Sequence, residues 1–345
     1  MRLLVTGGAG FIGTNVVHQL ISYPSVERLV VIDCLTYAGK KENLDLLKSN
    51  KRFKFVKEDI RDKQAITNVM ETEQITHVIH LAAESHVDRS IESPCNFIET
   101  NVLGTFNLLE SCRSAWAGKW ENHKFVHVST DEVFGSLGRE GSFTETSRYK
   151  PSSPYSASKA ASDHLVNSYY ITYGFPSIIT NCSNNYGPFQ NKEKLVPKVI
   201  DNILLNKDIP VYGNGNNVRD WLFVKDHVNA LWLVLNTGEI GQSYNIGGDN
   251  EIKNIDLVTS LCDLVDKRLG RLNGYSRNRI KYVSDRPGHD FRYAINSNKI
   301  RSELKWKPKI SFNKGIQDTI NWYISNIRWL KYCSKKYKGQ RLGLK

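Results

Sequence analysis

The chain has 345 residues, longer than one hydrophobic core usually serves, and its 40% apolar content allows two packed units. No apolar run approaches the ~20 residues of a membrane span, and the first residues run into a strand pattern with no leader, so a cytoplasmic protein without a membrane partner is expected. The net charge of +12 raises the question of nucleic acid, but seven of its cations (Arg328, Lys331, Lys335, Lys336, Lys338, Arg341, Lys345) fall after residue 327 with no acid among them. Such a run reads as a solvated or frayed basic tail, and no nucleic-acid module accompanies it. The six cysteines are scattered without a C-x-x-C pair, which argues against a zinc site or a disulfide framework; no metal is expected.

The first predicted element is a short strand, Leu3-Leu4-Val5, running into Thr6-Gly7-Gly8-Ala9-Gly10-Phe11-Ile12-Gly13 and then into apolar residues at helical spacing. Strand, glycine loop and helix start come in the order that a pyrophosphate site needs. Gly7 permits the tight turn, Gly10 lets backbone amides approach the ligand, and Gly13 lets the helix pack on the strand. A second strand, 29–32, ends at Asp33, 20 residues beyond Gly13, where a carboxylate accepts from an adenosine ribose and repels a 2′-phosphate. NAD is therefore the expected cofactor.

The alternation continues with a strand at 53–56, Asp59-Ile60, a helix at 63–71, and a strand at 78–81 ending in Ala82-Ala83. A helix at 97–112 and a strand at 125–129 follow, the latter ending at Thr130-Asp131-Glu132. This is an α/β pattern, a Rossmann-type doubly wound parallel sheet, in which ligands gather beyond the carboxyl ends of strands. Asp131 and Glu132 alone suit a cap and a surface charge equally well. Pro154 then opens a helix on which Tyr155 and Lys159 stand four apart, so the ammonium can lower the phenol toward a usable base. Past Pro188 the alternation loosens. The expected division is 1–187 for the nucleotide-binding unit, with 218–248 returning to it, and 188–217 plus 249–345 for a smaller C-terminal substrate-binding lobe.

These blocks, with Leu81-Ala82-Ala83-Glu84-Ser85-His86-Val87-Asp88-Arg89-Ser90, Asn184-Asn185-Tyr186-Gly187-Pro188, Arg219-Asp220-Trp221 and Asp285-Arg286-Pro287-Gly288-His289-Asp290, resemble the extended short-chain dehydrogenase/reductase superfamily. Within it they are most similar to the nucleotide-diphosphate-glucose 4,6-dehydratases, over nearly the whole chain. The resemblance implies a lyase acting on dTDP-glucose, with UDP-glucose as the alternative, and a homodimer. It implies that Tyr155 and Lys159 serve oxidation at C4, that Glu132 takes the C5 proton, that Asp131 protonates the departing C6 hydroxyl, and that Thr130 polarises the C4 oxygen.

The cofactor contacts it implies, beyond the glycine loop and Asp33, are Cys34, Leu35, Thr36, Asp59, Ile60, Leu81, Ala82, Ala83, Ser85, Thr100 and Asn185. Ser85, Asn184, Lys194, Leu195, Pro210, Val211, Tyr212, Arg219, Asn254, Asp285, Arg286, Pro287, Gly288 and His289 are implied for the sugar nucleotide. A 4-epimerase of the same superfamily would keep Tyr155 and Lys159 without needing the two carboxyls. A non-catalytic NAD-binding protein would need none of the four.

Overall fold

A computed structural model describes residues 1–336, so Lys338, Arg341 and Lys345 lie outside the described residues. Strands β1 (Arg2–Thr6), β2 (Arg28–Ile32), β3 (Phe53–Val56), β4 (His77–His80), β5 (Lys124–Thr130) and β6 (Ser177–Cys182) are all parallel to their neighbours. They run in the order β6-β5-β4-β1-β2-β3, and the strand Ser243–Ile246 closes the β6 edge to make a seven-stranded sheet. The chain reverses direction between β1 and β4, and a crevice opens at the carboxyl ends of these two strands. Each of β1, β2, β5 and β6 is buried along nearly its full length, because helices cover both faces.

Local chemistry explains the element that carries Tyr155. Ser153 caps the helix Pro154–Tyr173 by accepting from the Ser156 backbone N–H while the Ser156 hydroxyl accepts from the Ser153 N–H. Pro154 fits the first turn, and Gly174 ends the helix at φ +64°.

Three sequence expectations change. The helix expected over 97–112 is Pro94–Phe97, a π-helical stretch Ile98–Gly104, and Thr105–Trp116. The π register lets Asn101 turn inward, where its amide bonds both the N–H (2.8 Å) and the carbonyl (3.0 Å) of Glu84 and the Ser158 hydroxyl (2.8 Å). Of the stretch 218–248, the strand Ser243–Ile246 joins the main sheet, whereas Val218–Phe223 lies in a separate three-stranded sheet between Glu251–Lys253 and Asn184–Tyr186. The basic terminal run begins as a docked helix, Ile327–Lys336, rather than a frayed tail. Leu330 and Cys333 are buried, and the Trp329 indole donates to Asn43 at 2.7 Å, because apolar residues are interleaved with the lysines. Among the described residues no helix is long and apolar enough to cross a membrane.

Candidate active site

Two connected clefts open at the carboxyl edge of the sheet. The larger, about 440 Å³, is walled by Gly7, Gly10, Phe11, Ile12, Gly13, Asp33, Cys34, Thr36, Asp59, Ile60, Leu81, Ala82, Ala83, Ser85, Thr100, Tyr155, Lys159 and Asn185. The smaller, about 190 Å³, is walled by Leu195, Pro210, Val211, Tyr212, Arg219, Asn254, Arg286 and His289. Glu132, Asn184, Glu193 and Lys194 belong to both, while Thr130 and Asp131 line the larger. Of the residues singled out in the sequence, Leu35 packs against the core, Asp285 reaches the smaller cleft through its bond to His289 (2.6 Å), and Pro287 and Gly288 are off the walls.

The shape of the larger cleft fits a dinucleotide. Gly7 adopts φ +68°, and a Cβ there would stand 2.8 Å from the Ala82 backbone; one on Gly13 would stand 2.2 Å from the Gly7 carbonyl oxygen. Gly10 is unobstructed apart from that same oxygen, leaving backbone exposed at the mouth of the helix Phe11–Leu20. The Thr6 hydroxyl fixes the facing edge: it bonds His80 Nδ1 (2.7 Å) and accepts from the N–H groups of Leu81 and Ala82 (3.2 Å each). Asp33 accepts from the N–H of Ala9 at 3.0 Å and of Leu35 at 2.8 Å, so the carboxylate braces the glycine loop as well as facing the cleft.

Asp131 and Glu132 are carried by one tight turn. Thr130 ends β5 and caps the turn Asp131–Phe134 by accepting from the Glu132 N–H at 3.2 Å, while its hydroxyl donates to Asp131 Oδ1 at 3.3 Å. Burial drives Asp131 well above the usual carboxylate range, reinforced by the charges of Glu132 and Asp220, and its Oδ2 is buried without a hydrogen-bond partner. Glu132 is raised too, by desolvation, but Arg286, Lys194 and Arg219 oppose the rise. Adjacent carboxyls in such unlike surroundings divide into a protonated acid and a poised base.

Tyr155 and Lys159 are both buried at the sheet edge. The Lys159 ammonium donates to the Val128 carbonyl at 2.9 Å and lies 3.4 Å from His127 Nε2. Burial and the nearby carboxyls hold the Tyr155 phenol well above its ordinary value, opposed by the Thr130 hydroxyl. Lys159 is not among the groups that lower the phenol, because its ammonium is turned toward the Val128 carbonyl on β5.

Several site residues escaped sequence reasoning. Arg89 bonds Glu193 at 3.1 Å and covers the Tyr37 ring at 3.9 Å, and Glu84 and Glu193 both wall the larger cleft. Asp88 accepts from Arg286 (2.9 Å) and from the Tyr212 hydroxyl (2.9 Å), aiming a guanidinium into the smaller cleft. The pairing of Asp88 with Arg286 was implicit only in two separate motifs, and Tyr37 carried no local signal.

Known proteins share this arrangement. A dTDP-glucose 4,6-dehydratase of Salmonella typhimurium is 51% identical over 96% of this chain and 94% of its own length. The crystal structure of a dTDP-glucose 4,6-dehydratase from Streptomyces venezuelae with NAD bound superposes with a TM-score of 0.89 at 43% identity, covering 96% of this chain and all of that one. A UDP-glucose 4-epimerase from Thermus thermophilus in complex with NAD matches at a TM-score of 0.83 and 30% identity, over 94% of this chain and all of its own. The family model described as GDP-mannose 4,6 dehydratase matches residues 4–319, and with the glycine loop, the carboxyl pair and the Tyr155 helix all inside that span, the chain belongs to this family.

Proposed function

We propose that the chain converts dTDP-glucose to dTDP-4-keto-6-deoxyglucose and water. The supporting observation is the seam where the two clefts meet: Asp131, held above the usual carboxylate range by burial, and a cation-flanked Glu132 stand within the same turn, in the wall that also holds Tyr155 and Lys159. In a sugar ring the hydrogen at C5 is too weakly acidic to remove until C4 is a ketone. The glycine loop, Asp33 and Lys159 would hold NAD, which would supply a hydride acceptor for C4 and, once reduced, the donor of that same hydride to C6.

Tyr155 takes the proton of the C4 hydroxyl, and Thr130 donates to the oxygen that becomes the ketone. Glu132 then takes the acidified C5 proton as Asp131 gives its proton to the C6 hydroxyl, which leaves as water. Glu132 exchanges its proton with solvent and then protonates C5, while the proton held by Tyr155 passes through solvent to restore Asp131. Arg219, Arg286 and His289 bind the diphosphate, for which guanidinium forks are well shaped, and Pro210, Val211, Tyr212 and Asn254 contact the nucleoside. A 4-epimerase has no use for the Asp131 and Glu132 pair.

We also assign the chain to the cytoplasm, where its six free thiols stay reduced. It pairs as a homodimer through the exposed apolar side chains Ile98, Leu103 and Phe106, with Tyr170, Ile171 and Tyr173 at the end of the Tyr155 helix.

The test is one incubation in deuterated water, without added NAD, of the protein with dTDP-glucose and UDP-glucose in competition. The expected product is the dTDP 4-keto-6-deoxy sugar carrying solvent deuterium at C5, and hydrogen label placed at C4 should appear at C6. A C4-epimerised sugar, or label lost to solvent from C4, overturns the assignment.

A further inference from the structure

The helix Pro154–Tyr173 carries a third polar residue on the face that presents Tyr155 and Lys159. Asp163 continues the i,i+4 ladder one turn below Lys159 and is deeply buried, 1% exposed. Side chains from β5, from β6 and from the loop before the helix converge on it. Its Oδ2 accepts from the Ser129 hydroxyl (2.7 Å), the Tyr149 hydroxyl (3.0 Å) and the Asn181 amide (3.5 Å). Its Oδ1 faces His127 Nε2 at 3.1 Å, and the same nitrogen lies 3.4 Å from the Lys159 ammonium. The mechanism above uses neither Asp163 nor His127.

A buried ammonium loses its hydration and, without a nearby anion, gives up its proton. The groups facing Lys159 are His80 from β4, His127 from β5, Cys182 from β6, and Tyr155 and Asp163 from its own helix. His80 and His127 are held neutral by burial, His127 down to about 4, and the Cys182 thiol is pushed up to about 12. Burial lowers Lys159 and Asp163 is the largest influence opposing it.

We propose that Asp163, fixed by Ser129, Tyr149 and Asn181, is the counter-ion that keeps Lys159 charged in the closed site, with the neutral His127 imidazole as the spacer between them. Asp163 is then a positioning residue: it never meets substrate, but it keeps Lys159 a cation one helical turn from Tyr155. This inference rests on the catalytic assignment of Tyr155 and Lys159, so its test includes a measurement that needs no turnover.

The first arm compares the pH dependence of kcat for the wild type, Asp163→Asn and Tyr149→Phe. Removing the charge in Asp163→Asn should move the alkaline limb down by more than about one pH unit while leaving the acid limb in place. Tyr149→Phe, which removes a hydrogen bond and keeps the charge, should leave both limbs where they are. An unmoved alkaline limb in folded Asp163→Asn overturns the proposal. The second arm follows the side-chain carbon and nitrogen resonances of Lys159 and Asp163 in the wild-type holoenzyme, assigned with Lys159→Arg and Asp163→Asn where that variant folds, or otherwise by selective labelling. Both groups charged at pH 7.5 supports the pairing; a neutral member of the pair at that pH overturns it, whether or not the protein turns over sugar.

Discussion

The two clefts bind by different physics. The glycine-loop end of the larger is built from backbone and small side chains already bonded to one another: Gly7 against Ala82, Thr6 on the N–H groups of Leu81 and Ala82, Asp33 on those of Ala9 and Leu35. The wall of the smaller is a packed set of charges, with Arg286 on Asp88, His289 on Asp285, and Arg219 donating to the Asp290 and Phe291 carbonyls. Shape is read on one side and charge on the other. The first should therefore tolerate salt and fail through steric change, and the second should tolerate steric change and weaken with salt.

The largest effect is expected where the two meet. Glu132→Gln should cut dehydration by about 10²–10⁴-fold, as for removal of a general base, while single-turnover absorbance near 340 nm still reports oxidation of the sugar. Loss of both steps together would mean that Glu132 serves the first cleft as well. On the shape-reading side, Gly13→Ala forces a methyl to 2.2 Å from the Gly7 oxygen and should strip the retained NAD on gel filtration. Its cost to thermal stability should be about 1–3 kcal/mol, typical of overpacking.

On the charge-reading side, Arg286→Ala should raise KM about 10–100-fold, the worth of a charge-assisted hydrogen bond, and should also lower kcat by removing a cation that opposes the rise of Glu132. Its salt dependence of kcat/KM should be shallower than that of the wild type. An equal salt slope would erase the contrast between the clefts.

Acid should expose a third behaviour, carried by histidines of which only His86 and His289 line a cleft, the smaller one. Burial lowers His77, His127 and His289 to about 4 and His86 and His227 to about 3. The unfolded chain binds these protons near pH 6.5 and the folded chain does not, so stability rises with pH through this window. It is fully present above about 6.5 and is lost as pH falls toward the folded values, at about 1.4 kcal/mol per pH unit for each histidine. Thermal melts between pH 7.5 and 5 should show the midpoint falling steadily. The smallest effect belongs to the exposed Lys314–Asp318 pair: Lys314→Ala should change stability by less than about 0.5 kcal/mol and neither cleft at all.

What was legible in the residues was local. The glycine loop, Asp33, the Asp131-Glu132 pair and the Tyr155 to Lys159 step each depend on contacts within one turn or one strand-loop-helix unit, and their spacing announces them. The family resemblance then named the substrate. Contacts across long separations left no such trace: Arg89 and Glu193 are 104 residues apart, and Trp329 meets Asn43 across 286. Asp163 was closer to hand, since it is the next rung of a ladder whose first two rungs had been read. The docked terminal helix was obscured by its own lysines, which set the charge while Trp329, Leu330 and Cys333 set the packing. The π-helical stretch Ile98–Gly104 follows from the partners of Asn101, not from helix propensity.

Asn43 donates to the Ala9 carbonyl and the Thr14 hydroxyl at the start of the chain while accepting from Trp329 near its end. During synthesis the nucleotide loop therefore leaves the ribosome long before its brace is complete. A single amide thus ties the glycine loop to the last described helix, so the brace on the cofactor loop closes only once residue 329 has been made.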